Sequence, residues 1–233
     1  MRAIVHVAFV GLVVWHSIVW AQPLKQPQGV AFSPDGTKLA VSDTGNSRVL
    51  ILSFRSGGWH LLAIASDLDS PQKLVWLDNA RIAVCEGGKG QVTIFRLKRN
   101  SLERKQAPNG FKRPIGLTIW RNLIFVADGE TRKLTALTLD GKEVSSFSGN
   151  FNIPSDVAIA DDGTVFLADD SGEIKVCRFD VEKEQFQPNE PKTLGGFWTC
   201  KSLAVVGSEL WALSSYSGEI KRGSLKELSS PKW

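Results

Sequence analysis

Apolar positions along this chain cluster into short runs separated by turn chemistry, and the clusters repeat. The first copy reads Val30-Ala31-Phe32, then Ser33-Pro34-Asp35-Gly36, then Leu39-Ala40-Val41-Ser42. An acidic turn follows, Asp43-Thr44-Gly45-Asn46, and then Val49-Leu50-Ile51-Leu52. The phrase begins at Pro27 and begins again at Pro71, Pro114, Pro154 and Cys200, at spacings of 44, 43, 40 and 46 residues. Runs apolar at every position suit strands covered on both faces. A strand-only unit with a period in this range is the signature of a β-propeller, one blade per repeat.

The pattern predicts first strands at 30–32, 74–76, 117–119, 157–159 and 203–205. Second strands fall at 39–42, 82–85, 124–127, 165–168 and 210–213, and third strands at 49–54, 92–97, 134–139, 174–179 and 220–225. Asp35-Gly36, Asp78-Asn79, Arg121-Asn122, Asp162-Gly163 and Gly207-Ser208 supply the hairpin turns between first and second strands. Outer strands are expected at 59–65, near 102–105, at 143–147 and near 192–195, and no segment reads as a helix. The fold class is therefore all-β, a propeller of about five four-stranded blades. Too little chain follows the fifth repeat to give it a full outer strand. Three closures stay open: a five-bladed ring, a ring with an atypical sixth blade, and an open ring completed by a partner chain. The last would leave a strand edge and an apolar face exposed.

The first residues follow a different rule. Met1-Arg2 is followed by an almost wholly apolar stretch over 3–20, with Val19-Trp20-Ala21 before Gln22. This reads as an export signal over 1–21, cut before Gln22, which leaves one propeller domain over 22–233, no membrane span after cleavage, and a secreted or periplasmic protein. The mature chain then has 27 basic and 24 acidic residues, a net charge of +3. That is too weak a field to mark a nucleic-acid binder. His6 and His16 leave with the signal, so His60 is the one histidine kept. A Ser-His-Asp triad and a multi-histidine metal site are both excluded on that ground. Three cysteines remain. Cys85 reads as a buried small hydrophobe, and Cys177 with Cys200 is the preferred disulfide pair in an oxidising compartment.

The stretch Leu39-Ala40-Val41-Ser42-Asp43-Thr44-Gly45-Asn46-Ser47-Arg48-Val49 resembles the NHL repeat, an apolar strand followed by Ala-Asp-Thr-Gly-Asn, an Arg and a second apolar strand. Val126-Ala127-Asp128-Gly129-Glu130-Thr131-Arg132 and Leu167-Ala168-Asp169-Asp170-Ser171-Gly172 match it in part. Cys85-Glu86-Gly87-Gly88 and Ser214-Ser215-Tyr216 depart from it. The resemblance covers the mature chain and implies NHL-like blades. Such propellers bind proteins and RNA, and related rings include gluconolactonase-like hydrolases and amidating lyases. Fold alone does not choose among these.

Antiparallel pairing brings the start of each first strand and the end of each second strand to one end of the blade. Asp43, Glu86, Asp128, Asp169 and Ser215 form one ring of equivalent positions there. Gln28, Gln72, Lys73, Asp156, Lys201 and Ser202 form the other. Such an acidic residue can hold its own turn by accepting backbone N–H groups and pairing with Arg48 or Arg132. Alternatively Glu86, Asp128 and Asp169 form an oxygen-rich site for one calcium or other divalent cation. By resemblance to the gluconolactonase-like enzymes, that cation would polarise a lactone carbonyl. The link between the second and third repeats is basic, with Lys98, Arg99, Arg104, Lys105, Lys112 and Arg113, and only Lys112 and Arg113 fall on the candidate face. Trp76, Trp120 and Trp211 are expected to pack between blades. The reading the sequence supports is a binding module for a protein, peptide or glycan, with Gln28, Gln72, Lys73, Asp156, Lys201, Lys112 and Arg113 as its ligand-facing set. A cation-dependent lactonase is the alternative, and the oligomeric state stays open.

Overall fold

The computed structural model describes residues 23–55, 57–106, 108–187, 191–194 and 200–228. The expected export signal over 1–21, Trp198 and Trp233 lie outside them. Five antiparallel sheets form a five-bladed β-propeller. The first blade is β1 (Pro27–Phe32), β2 (Lys38–Asp43), β3 (Arg48–Arg55) and β4 (Gly58–Ala65). The second is β5 (Pro71–Trp76), β6 (Arg81–Glu86), β7 (Gln91–Lys98) and β8 (Ser101–Gln106). The third is β9 (Pro114–Trp120), β10 (Leu123–Asp128), β11 (Lys133–Thr138) and β12 (Glu143–Phe147). The fourth has β13 (Pro154–Ile159), β14 (Thr164–Asp169) and β15 (Glu173–Asp180), with β16 (Gln185–Phe186) and β17 (Lys192–Leu194) both pairing with β15. The fifth has β18 (Ser202–Val206), β19 (Glu209–Leu213) and β20 (Ile220–Ser224), followed by a single helical turn, Leu225–Leu228. The sequence had placed Leu225 at the end of a strand. Its amide instead donates to the Ser208 carbonyl.

Each blade is a meander, so strand period and turn chemistry suffice to build it. Asp35 accepts from the Ser33 and Thr37 hydroxyls in the first hairpin, and Gly36 takes a positive φ of 70°. Asp78 likewise accepts the Ala80 and Arg81 amides in the second. Blades then bury their faces on one another. Ala40, Val49 and Ile51 of the first blade meet Leu74, Trp76 and Val84 of the second. Val92 and Ile94 meet Leu117 and Ile124. Trp120 and Phe125 pack edge-on against Phe179 from the fourth blade, at ring separations of 6.5 and 5.0 Å. Phe166 and Ile174 meet Leu203 and Leu210. Trp76 also donates its indole N–H to the Ala31 carbonyl at 3.0 Å, tying two blades.

Among the described residues four seams are packed in this way and the fifth is not. Inner strands follow one another as β1 on β5, β5 on β9, β9 on β13 and β13 on β18, with no comparable packing of β18 on β1. The apolar face of the first blade that looks into this seam gathers Val41, Leu50 and Leu52 with Leu39 and Trp59, all from its own sheet. Val30 is 56% exposed there and Phe32 47%. Trp211 is correspondingly not between blades: its strand partner on β20 is Arg222, whose guanidinium lies 5.7 Å from the indole. The sheet alternates, and Leu210 and Ala212 take the covered face of β19.

The three cysteines are free thiols, which corrects the expected Cys177–Cys200 bridge. Cys177 packs with the core between the third and fourth blades, and Cys200 with the core between the fourth and fifth. The fourth sheet therefore stands between the two sulfurs. Burial pushes both thiols up to about 12.

Candidate functional site

The acidic ring is made by one local rule applied four times. Asp43, Glu86, Asp128 and Asp169 each end the second strand of a blade, and each is fully buried. Each accepts the backbone N–H of the residue two before its blade's leading proline. These bonds are Lys25 to Asp43 at 2.7 Å, Asp69 to Glu86 at 3.0 Å, Lys112 to Asp128 at 2.7 Å and Asn152 to Asp169 at 2.7 Å. The carboxylate thus anchors the link that carries the chain into the blade. Its remaining lone pairs are also used. Asp43 takes Asn46 Nδ2 and Arg48 Nε, and Asp128 takes the amides of Arg113, Glu130 and Thr131. Asp169 takes the amides of Ile153 and Ser171. Glu86 takes Gln91 Nε2, the Thr93 hydroxyl and Arg104 Nη1, with Lys89 Nζ at 3.4 Å.

Burial alone would raise Glu86, but its hydrogen bonds outweigh that and hold the carboxyl at about 2. Asp43 and Asp128 are also held below the ordinary carboxylate range, burial again being overcome by donated hydrogen bonds. Among the described residues no three His, Cys, Asp or Glu side chains gather closely enough to hold an ion. Glu86, Asp128 and Asp169 are therefore not brought together, and each stays in its own blade with its oxygens engaged. This donor set does not fit a shared divalent cation. The geometry also replaces the fifth member of the ring. Ser202 pairs with Leu213, as Gly29 pairs with Ser42, so Ser214 rather than Ser215 stands where the aspartates stand.

A second ring lies closer to the axis, two residues after each blade's lead: Gly29, Lys73, Gly116, Asp156 and Ser202. Lys73 on β5 ion-pairs with Asp156 on β13. Their blades are not neighbours, so this contact crosses the bore. Two glycines make room for it. A Cβ on Gly116 would sit 2.6 Å from the Asp156 Cα, and one on Gly29 would sit 2.8 Å from the Gln72 carbonyl oxygen. Asp156 also accepts the Ser202 hydroxyl at 3.0 Å and the Leu203 amide at 2.9 Å, so one carboxylate ties blades two, four and five. The sequence offered Lys73 and Asp156 as separate ligand contacts. They are partners in a plug, and the equivalence of Gly29 with Gly116 was the signal that could have shown it.

The other expected ligand residues are spread around the rim. Lys201 pairs with Asp170 at 2.6 Å, and Lys112 lies 3.6 Å from Glu130. Gln72 donates to the Ser70 hydroxyl. Gln28 and Arg113 are exposed, and only the backbone N–H of Arg113 is engaged by Asp128. The bore thus offers no open, convergent polar site, and the rim offers separated charges.

No protein-family model matches the chain, and no curated protein matches it significantly. Solved structures do. A chain from a nidogen/laminin complex superposes with a TM-score of 0.73 at 16% identity, covering 88% of this chain and 78% of that one. A protein from Bacteroides uniformis ATCC 8492 that carries the name of a 6-phosphogluconolactonase superposes with a TM-score of 0.63 at 13% identity, covering 74% of this chain. This chain spans 56% of that protein's length. At these identities the likeness is one of fold, and it makes the chain a β-propeller.

Proposed function

We propose that this protein is an exported protein-binding propeller, and that the unpacked seam between its first and fifth blades is where a partner polypeptide docks. The observation that carries this reading is the pair of apolar faces on either side of that seam. Val30 and Phe32 are exposed on one side. On the other, Val206 is 56% exposed and Ile220 67%, with Leu213 also exposed. Contiguous exposed apolar surface of this kind marks an interaction site. The fifth blade adds a further element: β20 pairs with β19 alone among the described strands, leaving an edge for strand addition.

The occupant that fits is a β-segment of another protein, apolar on both faces. A second copy fits poorly, because both of its matching faces line a concave seam of its own, and two such clefts cannot fill each other. On this reading residues 1–21 direct export and are removed, and no described helix is long and apolar enough to cross a membrane. The lactonase reading has no comparable observation behind it, since the carboxylates it needs are saturated.

The test is site-specific photocrosslinking from positions 32 and 206 in the exporting cell, followed by mass spectrometry. Both positions should capture the same partner, and Val30→Asp with Val206→Asp should abolish capture while leaving the thermal midpoint unchanged. Capture that survives both substitutions, or light scattering showing a stable homodimer, would remove the proposal.

A further inference from the structure

The chain repeats itself once more than its five leading positions show. At a spacing of 44 residues, the stretch 15–28 lines up with 59–72. Six positions are identical: Trp15 with Trp59, His16 with His60, Ala21 with Ala65, Leu24 with Leu68, Pro27 with Pro71 and Gln28 with Gln72. Residues 59–65 belong to β4, the fourth strand of the first blade. A segment written on the β4 pattern therefore precedes β1, over 15–21, which lies outside the described residues.

Among the described residues the fifth blade has no fourth strand, whereas in each other blade a further strand pairs with the third. The gap shows in what would face it. Between the first and second blades, Leu68, Leu74 and Trp76 pack with Ala40, Val49 and Ile51, and with Ala63 and Ala65 of β4. Their equivalents at the unpacked seam are Leu24, Val30 and Phe32. Leu68 is 2% exposed but Leu24 40%, and Val30 and Phe32 are exposed as well. From the fifth blade, Trp211, Ile220 and Arg222 stand where Ala40, Val49 and Ile51 stand in the first. Ala63 and Ala65 have no counterpart among the described residues. One period earlier, their places in the sequence are held by Val19 and Ala21.

We propose that residues 15–21, while attached, enter the seam as the fourth strand of the fifth blade, and that their removal opens it to the partner segment. What the opened seam then binds rests on the reading above. The register follows from the first blade, where Val49 stands opposite Ala65 and Ile51 opposite Ala63. Ala21 then stands opposite Ile220, and Val19 opposite Arg222. Ile18, Val19 and Trp20 give the segment apolar residues on both sides, as a strand between two apolar faces requires. An export signal needs hydrophobicity alone and gains nothing from sharing Leu24, Pro27 and Gln28 with another repeat. An attached strand meets the β20 edge at high effective concentration, so a separate polypeptide competes poorly until cleavage releases it. Removing the strand is thus an irreversible switch from a closed ring to an open one.

The experiment compares the full chain, produced without export, with the chain beginning at Gln22. In the full chain, Ala21→Cys with Ile220→Cys should form a disulfide on mild oxidation, read by peptide mass spectrometry. Ala21→Cys with Arg222→Cys should not, because a diagonal pair stands about 7–8 Å apart, beyond a disulfide's reach. Without any substitution, outward-facing amides of β20 should exchange at least about tenfold more slowly in the full chain than in the shortened one. That comparison decides alone should the cysteine variants fail to fold. Equal bridging at both pairs, or equal β20 exchange in the two chains, overturns the inference. Photocrosslinking from position 32 separates it from the seam reading. Bridging in the full chain with no partner captured by the shortened one upholds the strand and removes the partner, and capture with equal β20 exchange does the reverse.

Discussion

Replacing Asp156 by alanine removes three interactions that join separate blades, together with its local contact to the Val157 amide. The Leu203 amide it caps is buried, and an orphaned buried N–H costs about 1–3 kcal/mol. Lys73 loses its counter-ion as well, but that side chain is 29% exposed, so water recovers much of the loss and about 1 kcal/mol is the fair share. With the Ser202 hydroxyl included, Asp156→Ala should cost about 3–5 kcal/mol, the range for breaking a buried pair by removing its better-connected member. Lys73→Met should cost only about 1–2 kcal/mol, because Asp156 keeps its three other donors. Urea unfolding followed by tryptophan fluorescence reads both costs, and hydrogen exchange at the Leu203 amide reads the local effect. Its protection should fall in Asp156→Ala and hold in Lys73→Met. Should Asp156→Ala not fold, Asp156→Asn keeps one acceptor oxygen and should fall between the two. Equal costs for the two partners, or a cost below about 1 kcal/mol for Asp156→Ala, would refute the hub role.

Two further outcomes follow from the same geometry. Glu86 is held at about 2 against an ordinary 4.5, so the stability it contributes is complete above pH 4.5 and is lost as pH falls toward 2; by linkage it amounts to roughly 3 kcal/mol. The urea midpoint should fall across that window and fall less in Glu86→Gln, whereas a midpoint independent of pH there contradicts the assignment. Gly116→Ala places a Cβ 2.6 Å from the Asp156 backbone and should cost about 2–3 kcal/mol by overpacking, while Gly36→Ala meets nothing and should cost about 1 kcal/mol from its positive φ alone; calorimetry showing equal losses counts against a bore that depends on glycine.

The architecture was legible because each blade is local. Short apolar runs, turn pairs such as Asp35-Gly36 and the leading prolines fix a meander without reference to other blades. The acidic residues were legible too, though their role was not: the sequence shows that Asp43, Glu86, Asp128 and Asp169 are equivalent, but not which amide each captures. That depends on the path of the link two residues before each proline. The Lys73–Asp156 pair was hidden for another reason. It joins residues 83 apart in the chain, on blades that touch only through the axis, so no local pattern marks it. Cys177 and Cys200 misled in the opposite way. Nearness in the repeat suggested a bridge, whereas Cys177 on β15 faces the third blade and Cys200, in the link into the fifth blade, packs on the other side of the fourth sheet.

These features also bear on where a ring of this size can do its work. A propeller can receive a ligand at its bore, at its rim or along a seam. In this chain the bore positions carry two glycines, a serine and an ion pair that crosses the axis, so a ligand there would have to displace a buried charge network. The rim carboxylates are committed to the links that shape the rim itself, and releasing one to a ligand would loosen the blade it anchors. The seam is under neither constraint. Its faces expose Val30, Phe32, Val206, Leu213 and Ile220, and the Arg222–Glu209 pair on the fifth blade's face is solvent-exposed, so covering the apolar surface stabilises the ring without displacing a buried charge network. Binding and completion of the fold are then one process, and a partner in the seam should raise the unfolding midpoint in proportion to its occupancy.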